Sequence, residues 1–315
     1  MREIITFGKY YKKRIKKRVK KIPLGLSGFT CPNIDGRVAK GGCTFCENES
    51  FAPNLGKSKK FFLNPDTKEN PLLQKQIQEI EFQYSATAGY YRQKGYEKFL
   101  AYFQAFTNTY APLDTLQKLY EHALSQEDCI GLSIGTRSDS VNEEVLDYLA
   151  KLSSAYEIWI EYGIQSVFDE TLEKINRGHD SKSVEQWIKR SKDKGLKVCG
   201  HVIFGLPDET QEMMLETVQK AVDWGIDSIK IHPLYVVKNT ALAIDYMKGR
   251  FTPITQELYI DTLLKAFDIL PKDMVVQRVT AGIGDSSLLG PSWCADKNAQ
   301  LRSIRQALIK KGLRY

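Results

Sequence analysis

Short apolar runs alternate along this chain with longer stretches in which apolar residues recur every three or four positions. The short runs predict strands over 22–29 (IPLGLSGF), 99–106, 130–135, 156–163, 197–205 and 227–236. The longer stretches predict helices near 72–94, 112–126, 141–153, 168–175, 183–194 and 210–224. Asp114, Asn142 and Ser181 stand where N-caps are needed, and Gly195 and Gly225 where helices should end. Six strand–helix alternations predict an α/β fold with a parallel sheet and helices outside it. With only six units before residue 240, a partial (βα)6 TIM-like barrel fits better than a closed eight-stranded one. Residues 241–315 form a C-terminal extension, with a helix near 255–269, a strand over 274–280, a Gly-rich loop and a basic final helix. Such sheets carry their chemistry at the C-terminal strand ends. The polar clusters TCPN, QAFTNT, GTRSD, EYGIQS and GLPDET fall there.

Composition alters this picture little, but charge divides it. The 315 residues are 42% hydrophobic and 26% charged, ordinary for a globular protein. No apolar run reaches the length of a membrane span, and the N-terminus has no apolar signal region, so a cytoplasmic protein without disulfides is expected. Residues 1–21 carry ten Lys or Arg and one Glu, and residues 301–315 carry five and no acid. The whole chain is +7, so residues 22–300 sum to −7. The expected organisation is a basic arm over 1–21, a barrel over 22–240 and a substrate-side extension over 241–315. KYYKKRIKKRVKK (9–21) has the composition to track a phosphate backbone. A solvated arm or a contact with anionic lipid is the blander alternative.

The stretch CPNIDGRVAKGGCTFC holds three of the six cysteines, Cys31, Cys43 and Cys46. Structural zinc normally takes four protein ligands, and no fourth candidate is near in sequence. Three unrelated buried thiols are a further possibility. A [4Fe–4S] cluster on three thiolates explains the missing ligand, because one iron is left open for a small molecule. S-adenosylmethionine can chelate such an iron, and electron transfer then yields a 5′-deoxyadenosyl radical that abstracts hydrogen. Cys129, Cys199 and Cys294 read as packed thiols.

This stretch resembles the cluster loop of radical S-adenosylmethionine enzymes, including the aromatic Phe45 just before the last cysteine. Its long first gap resembles the elongator-catalytic-subunit-like branch, and the ordered motifs over nearly the whole chain resemble a bacterial family of the YhcC/YtqA type. The resemblance implies a partial (βα)6 barrel, a cluster on Cys31, Cys43 and Cys46, and S-adenosylmethionine as cofactor. It places Gln104, Thr107 and Asn108 beside the methionyl amino group, with ordinary strand-end capping as the alternative. It places Arg137 near the cofactor carboxylate, where a surface ion pair is the alternative, and Glu161 and Gln165 near the ribose, with Gly163 admitting the backbone. Arg177 and His179 would face substrate or cofactor. His201 would flank the adenine or be a satisfied core histidine. Lys238, Thr240, Arg278 and Trp293 fall on the substrate side.

The chain ends before any acetyltransferase domain, so acetyl-coenzyme A chemistry is not expected, and no second cysteine cluster suggests methylthiolation. The resemblance and the basic ends together imply tRNA as substrate, at the wobble uridine, with conversion of 5-carboxymethylaminomethyluridine to 5-aminomethyluridine as the step. A donor such as flavodoxin or ferredoxin would supply electrons. Radical chemistry on a small molecule or cofactor precursor is the alternative within enzymes, and a zinc-containing nucleic-acid-binding protein the alternative outside them.

Overall fold

The computed structural model describes residues 2–47 and 61–315. Its elements run β1 (Arg2–Glu3), β2 (Ile5–Thr6), α1 (Phe7–Ile15), β3 (Val19–Leu24), α2 (Leu73–Arg92), β4 (Lys98–Phe103), α3 (Leu113–Leu124), β5 (Cys129–Thr136), α4 (Glu143–Ser153) and β6 (Glu157–Gln165). They continue through α5 (Asp169–Lys174), α6 (Ser181–Asp193), β7 (Lys197–Phe204), α7 (Gln211–Asp223), β8 (Ser228–Pro233), β9 (Val236–Val237) and α8 (Ala241–Met247). The last are α9 (Gln256–Ile269), β10 (Val275–Arg278), β11 (Leu288–Gly290), α10 (Lys297–Lys310) and β12 (Leu313–Arg314).

The six expected strands pair in chain order, β3 to β8, and every neighbour is parallel. The sheet does not stop there. The extension strand β10 adds beside β8, and the two-residue β2 adds beside β10, giving an eight-stranded parallel half-barrel. A two-residue strand has no periodicity to read, so β2 is invisible in the pattern. Among the caps, Asn142 accepts from Val145 N as expected. Asp180 rather than Ser181 caps α6, and Asp114 lies inside the first turn of α3, where its charge complements the helix dipole.

Alternation along the strands separates two environments. Outward residues such as Ile22, Phe103, Ile134, Ile160 and Val202 join the main core against the surrounding helices. Inward residues form layers. The lowest, Val19, Leu100, Trp159 and Cys199, is apolar and is closed from below by Tyr11 of α1, whose hydroxyl accepts from Trp159 Nε1 at 2.9 Å. Two residues further along the strands come Lys21, Tyr102, Ser133, Glu161, His201 and Lys230, and above these lies the cavity.

The basic segment is therefore not an arm. Residues 7–15 are a helix and 19–24 an edge strand of the sheet. Its charges lie at the N-terminal ends of the strands, where Arg14 pairs with Glu157 at 2.8 Å, Lys17 with Glu97 at 2.5 Å, and Arg18 stacks 4.3 Å over Tyr96. The C-terminal β12 pairs in parallel with β1, so both basic ends meet at that same end of the barrel. No helix among the described residues is long and apolar enough to cross a membrane.

Candidate active site

The cysteine loop is strapped to the segment after β6. Thr44 N donates to Ile175 O at 3.0 Å, Asn176 Nδ2 donates to Gly42 O at 2.7 Å, and Asn33 Nδ2 donates to Asn176 O. Gly178, at φ +77°, could not be replaced without cost: a Cβ there would stand 2.5 Å from Asn33 Oδ1. On the other side, Leu242 N donates to Thr44 O at 2.8 Å. These bonds bring Cys31, Cys43 and Cys46 onto one cavity of about 520 Å³ at the C-terminal ends of the strands.

No disulfide joins any of the six cysteines, and Cys129, Cys199 and Cys294 do not line the cavity. Burial, then the neighbouring Cys43 and Cys31, push the Cys46 thiol far above its usual range. Three thiols so crowded can ionise together only against compensating positive charge. Part of it is at hand. Arg177 Nη1 and Asn33 Nδ2 each stand 3.7 Å from Cys43 Sγ. Arg177 Nε and Arg137 Nη1 are buried without a partner. The donor set of three sulfurs ringed by unspent cationic donors fits a thiolate-held iron–sulfur cluster with one open iron.

The strand ends supply the remaining walls. Phe45, Gln104, Thr107, Arg137, Glu161, Gly163, Gln165, Arg177, His201 and Arg278 all line the cavity. Several do so differently from the expectation. Arg137 has spent its fork on Asp139, with Nε and Nη2 at 2.9 and 2.6 Å, and Nη2 also reaches Arg177 O at 2.7 Å. Burial works to raise the Asp139 carboxyl, but this fork holds it below its usual range. Only Nη1 of Arg137 is left for a cofactor. Asn108 does not face the cavity: its Nδ2 clasps Phe103 O at 3.0 Å and Gly135 O at 3.1 Å, tying β4 to β5. Gly163 O accepts from Arg177 Nη2 at 2.9 Å, and a Cβ on Gly163 would lie 2.5 Å from that nitrogen.

Glu161 is fully buried and its oxygens are already shared. They accept from Lys21, from Ser133, from Lys230 at 2.5 Å and from His201 Nε2 at 2.6 Å. Burial opposes its charge, yet Lys21 and Lys230 hold the carboxyl well below its usual range. Burial, then Lys230, lowers His201 to about 4 against the pull of Glu161. His201 is thus neutral near pH 7. Glu161, Cys199 and His201 lie close enough to suggest a metal site, but two ammonium groups already fill the carboxylate's cation positions.

Four further residues expected at the site do not line the cavity. Lys238 is exposed and Thr240 caps α8, accepting from Ala243 N at 3.1 Å. Trp293 packs 5.4 Å from Tyr259 and donates to Ile254 O at 3.2 Å, away from the cavity. His179 is likewise absent from the lining. Sequence reasoning missed Tyr102, His232, Tyr235 and Lys297, which do line it, and Lys21 and Lys230 beneath. The signal for two of them was present: SIKIHP sets Lys230 and His232 two apart in an otherwise apolar strand, marking an inward polar face.

A parallel half-barrel with a three-thiol loop over its C-terminal mouth is the architecture of radical S-adenosylmethionine proteins. The chain matches the Radical SAM superfamily model over residues 34–221 and the Radical_SAM C-terminal domain over 226–310. It is 35% identical over 308 residues to Protein YhcC of Escherichia coli (strain K12), covering 98% of this chain and 93% of that one. It is 34% identical over 286 residues to uncharacterized protein YtqA of Bacillus subtilis (strain 168), covering 90% and 83%. The chain belongs to the radical SAM superfamily, with YhcC and YtqA among its relatives, and is an enzyme. The nucleic-acid-binding zinc module is thereby set aside.

A tRNA uridine(34) acetyltransferase of Methanocaldococcus infernus is 33% identical over 208 residues, which are 64% of this chain and 37% of that protein. Among solved structures, an N-terminally truncated Elp3 of Methanocaldococcus infernus superposes with TM-score 0.64 at 20% identity, covering 94% of this chain and 64% of that one. The chain thus spans less than two thirds of that relative, and the likeness is one of fold.

Proposed function

We propose that Cys31, Cys43 and Cys46 hold a [4Fe–4S] cluster, and that the enzyme uses it with S-adenosylmethionine to modify the wobble uridine of tRNA. The convergence of the three thiols on one cavity at the strand ends carries the first half of this reading. The wobble-uridine activity named for the 33% identical relative supports the second. When bound, the cluster and S-adenosylmethionine supply a carbon radical that abstracts hydrogen.

The chain's own residues do the rest. Arg177 sets positive charge beside Cys43, offsetting thiolate charge, and its remaining Nε and Arg137 Nη1 are donors suited to a cofactor carboxylate. Gln104, Thr107 and Gln165 are polar donors and acceptors for the methionyl and ribose groups, and Gly163 lets the backbone approach. Glu161 holds Lys21, Lys230 and His201 in place under the cavity and orients rather than reacts. The step we assign is conversion of 5-carboxymethylaminomethyluridine to 5-aminomethyluridine in the cytoplasm. The bond from the amine nitrogen to the carboxymethyl carbon breaks, and water supplies the oxygen of the departing two-carbon aldehyde acid. The two electrons pass to S-adenosylmethionine, which ends as methionine and 5′-deoxyadenosine, with flavodoxin or ferredoxin as the one-electron donor that starts the reaction.

The test is to delete the gene and compare tRNA nucleosides with the parent strain by mass spectrometry. Loss of one modified uridine with accumulation of its precursor is expected; an unchanged profile refutes the tRNA assignment. A second reading, action on a small molecule, is favoured by one observation: the basic ends lie at the opposite end of the barrel from the cavity. Neutralising the exposed Lys12, Lys13, Lys16 and Lys17 separates the two, since only tRNA turnover should then weaken and lose salt dependence.

A further inference from the structure

The cavity lining holds four permanent cations, Arg137, Arg177, Arg278 and Lys297, and one acid, Glu161. That acid is engaged from below by Lys21 and Lys230 and is not available to any of the four. The cations fall into two pairs. Arg177 lies in the segment that straps the cysteine loop and Arg137 just after β5. Asp139, Gly163 O and Arg177 O hold their guanidinium groups beside the sulfurs, leaving Arg177 Nε and Arg137 Nη1 for the cofactor. Arg278 ends β10, and Lys297 opens α10. Among the described residues, the Arg278 guanidinium makes no hydrogen bond and no ion pair, although it is half-buried. The nearest acid in sequence to Lys297 is Asp296, and it caps α10, accepting from Asn298 N at 2.8 Å and Ala299 N at 3.0 Å. Lys297 is exposed at the edge of the cavity, where desolvation and then the Arg278 charge hold its ammonium below its ordinary range. His232, two residues beyond Lys230 on β8, is kept neutral by burial and then by Arg278. It is a hydrogen-bonding group of the same wall that brings no charge of its own.

An uncompensated guanidinium in a partly dry cavity is a strong local attractor for an anion, and its fork matches a carboxylate. The anion must also be small. A cavity of about 520 Å³ admits a cofactor part and one nucleoside-sized group, whereas the phosphates of an intact polynucleotide stay at its rim. We infer that Arg278, backed by Lys297, binds a carboxylate carried by the side chain of the substrate group that enters the cavity. This deepens the proposed function and rests on it, since the carboxymethylaminomethyl group of a modified uridine ends in such a carboxylate.

The experiment uses the anaerobically reconstituted enzyme with S-adenosylmethionine bound. The probes are the nucleoside 5-carboxymethylaminomethyluridine and its carboxamide, titrated into wild type, Arg278→Gln and Arg278→Lys. The wild type should prefer the carboxylate by about tenfold to a hundredfold, the range of a charge-assisted pair. Arg278→Gln should abolish the preference and Arg278→Lys should keep part of it, with iron content and S-adenosylmethionine affinity holding in both. An equal preference in wild type and Arg278→Gln, or none in the wild type, overturns the inference. So does weakened S-adenosylmethionine binding in Arg278→Gln, which would give the guanidinium to the cofactor instead. Turnover of tRNA from the deletion strain is read separately. Wild type that prefers the carboxylate but leaves that tRNA unchanged sinks the tRNA reading alone. Equal tRNA turnover by wild type and Arg278→Gln sinks the carboxylate subsite alone.

Discussion

Replacing Glu161 by Gln keeps the shape of the barrel interior and removes the one carboxylate that lines the cavity among the described residues. Two ammonium groups, Lys230 with its side chain 3% exposed and Lys21 at 13%, would then face each other without compensation. Breaking a buried ion pair from one side typically costs about 3–5 kcal/mol. An entropy of unfolding of about 2.1 cal/mol/K per residue turns this into a Tm drop of about 5–8 °C for a chain of this length.

The pH dependence carries a definite sign. Even beside Glu161, burial lowers Lys21 to about 8 in the folded protein. A lysine depressed on folding costs stability at all pH below its folded value, and the cost is relieved as pH rises toward the unfolded value. Without Glu161 both lysines fall further, so the relief begins at lower pH. The stability gap between wild type and Glu161→Gln should therefore narrow by about 1 kcal/mol or more between pH 7 and pH 9. A second variant, Glu161→Gln with Lys230→Met, restores the original net charge of the group and should recover more than half of the loss. Thermal and urea unfolding of the apoprotein, each followed by circular dichroism at both pH values, read the Tm and the stability gap. A Tm change below about 2 °C, or a gap that does not move with pH, would refute the reasoning.

Two further outcomes follow from the cavity wall. Asn108→Ala removes the amide donor shared by the carbonyls of Phe103 and Gly135, although the backbone N of residue 108 still donates to Gly135 O at 3.0 Å, and should cost about 0.5–1.5 kcal/mol in denaturant unfolding, with the affinity for S-adenosylmethionine changed far less than after Arg177→Ala. Gly163→Ala drives a methyl into Arg177 Nη2 and Gln165 Nε2, both at 2.5 Å and both on flexible side chains. It should weaken S-adenosylmethionine binding at least several-fold in equilibrium dialysis while moving Tm little.

The barrel was legible because its outward strand faces are uniformly apolar and each is followed by an amphipathic helix, so six strands could be read one at a time. The polar layer could not. Lys21, Tyr102, Ser133, Glu161, His201 and Lys230 each contribute one residue from a different strand, and only the register of the assembled sheet brings them together. Counting charge misjudged residues 1–21, since the deciding residues there are Tyr11 and Val19, apolar positions that fill the bottom of the barrel. The same count read the two basic ends as a nucleic-acid surface without placing them, and the β1–β12 pairing sets them at the end of the barrel away from the cavity. Arg137 was read as free for a cofactor, although Asp139, two residues on, was visible as its partner. Trp293 and Lys238 were misplaced because spacing does not encode where a loop residue points.

The central claim is tested most directly by assaying reductive cleavage of S-adenosylmethionine. The protein would be reconstituted anaerobically with iron and sulfide, reduced with dithionite, and assayed for 5′-deoxyadenosine by mass spectrometry beside Cys31→Ala, Cys43→Ala and Cys46→Ala. The account predicts a brown protein with about four irons per chain that releases 5′-deoxyadenosine, and variants that lose both iron and product. A wild type that takes up no iron, or variants that cleave S-adenosylmethionine as well as it does, would contradict it.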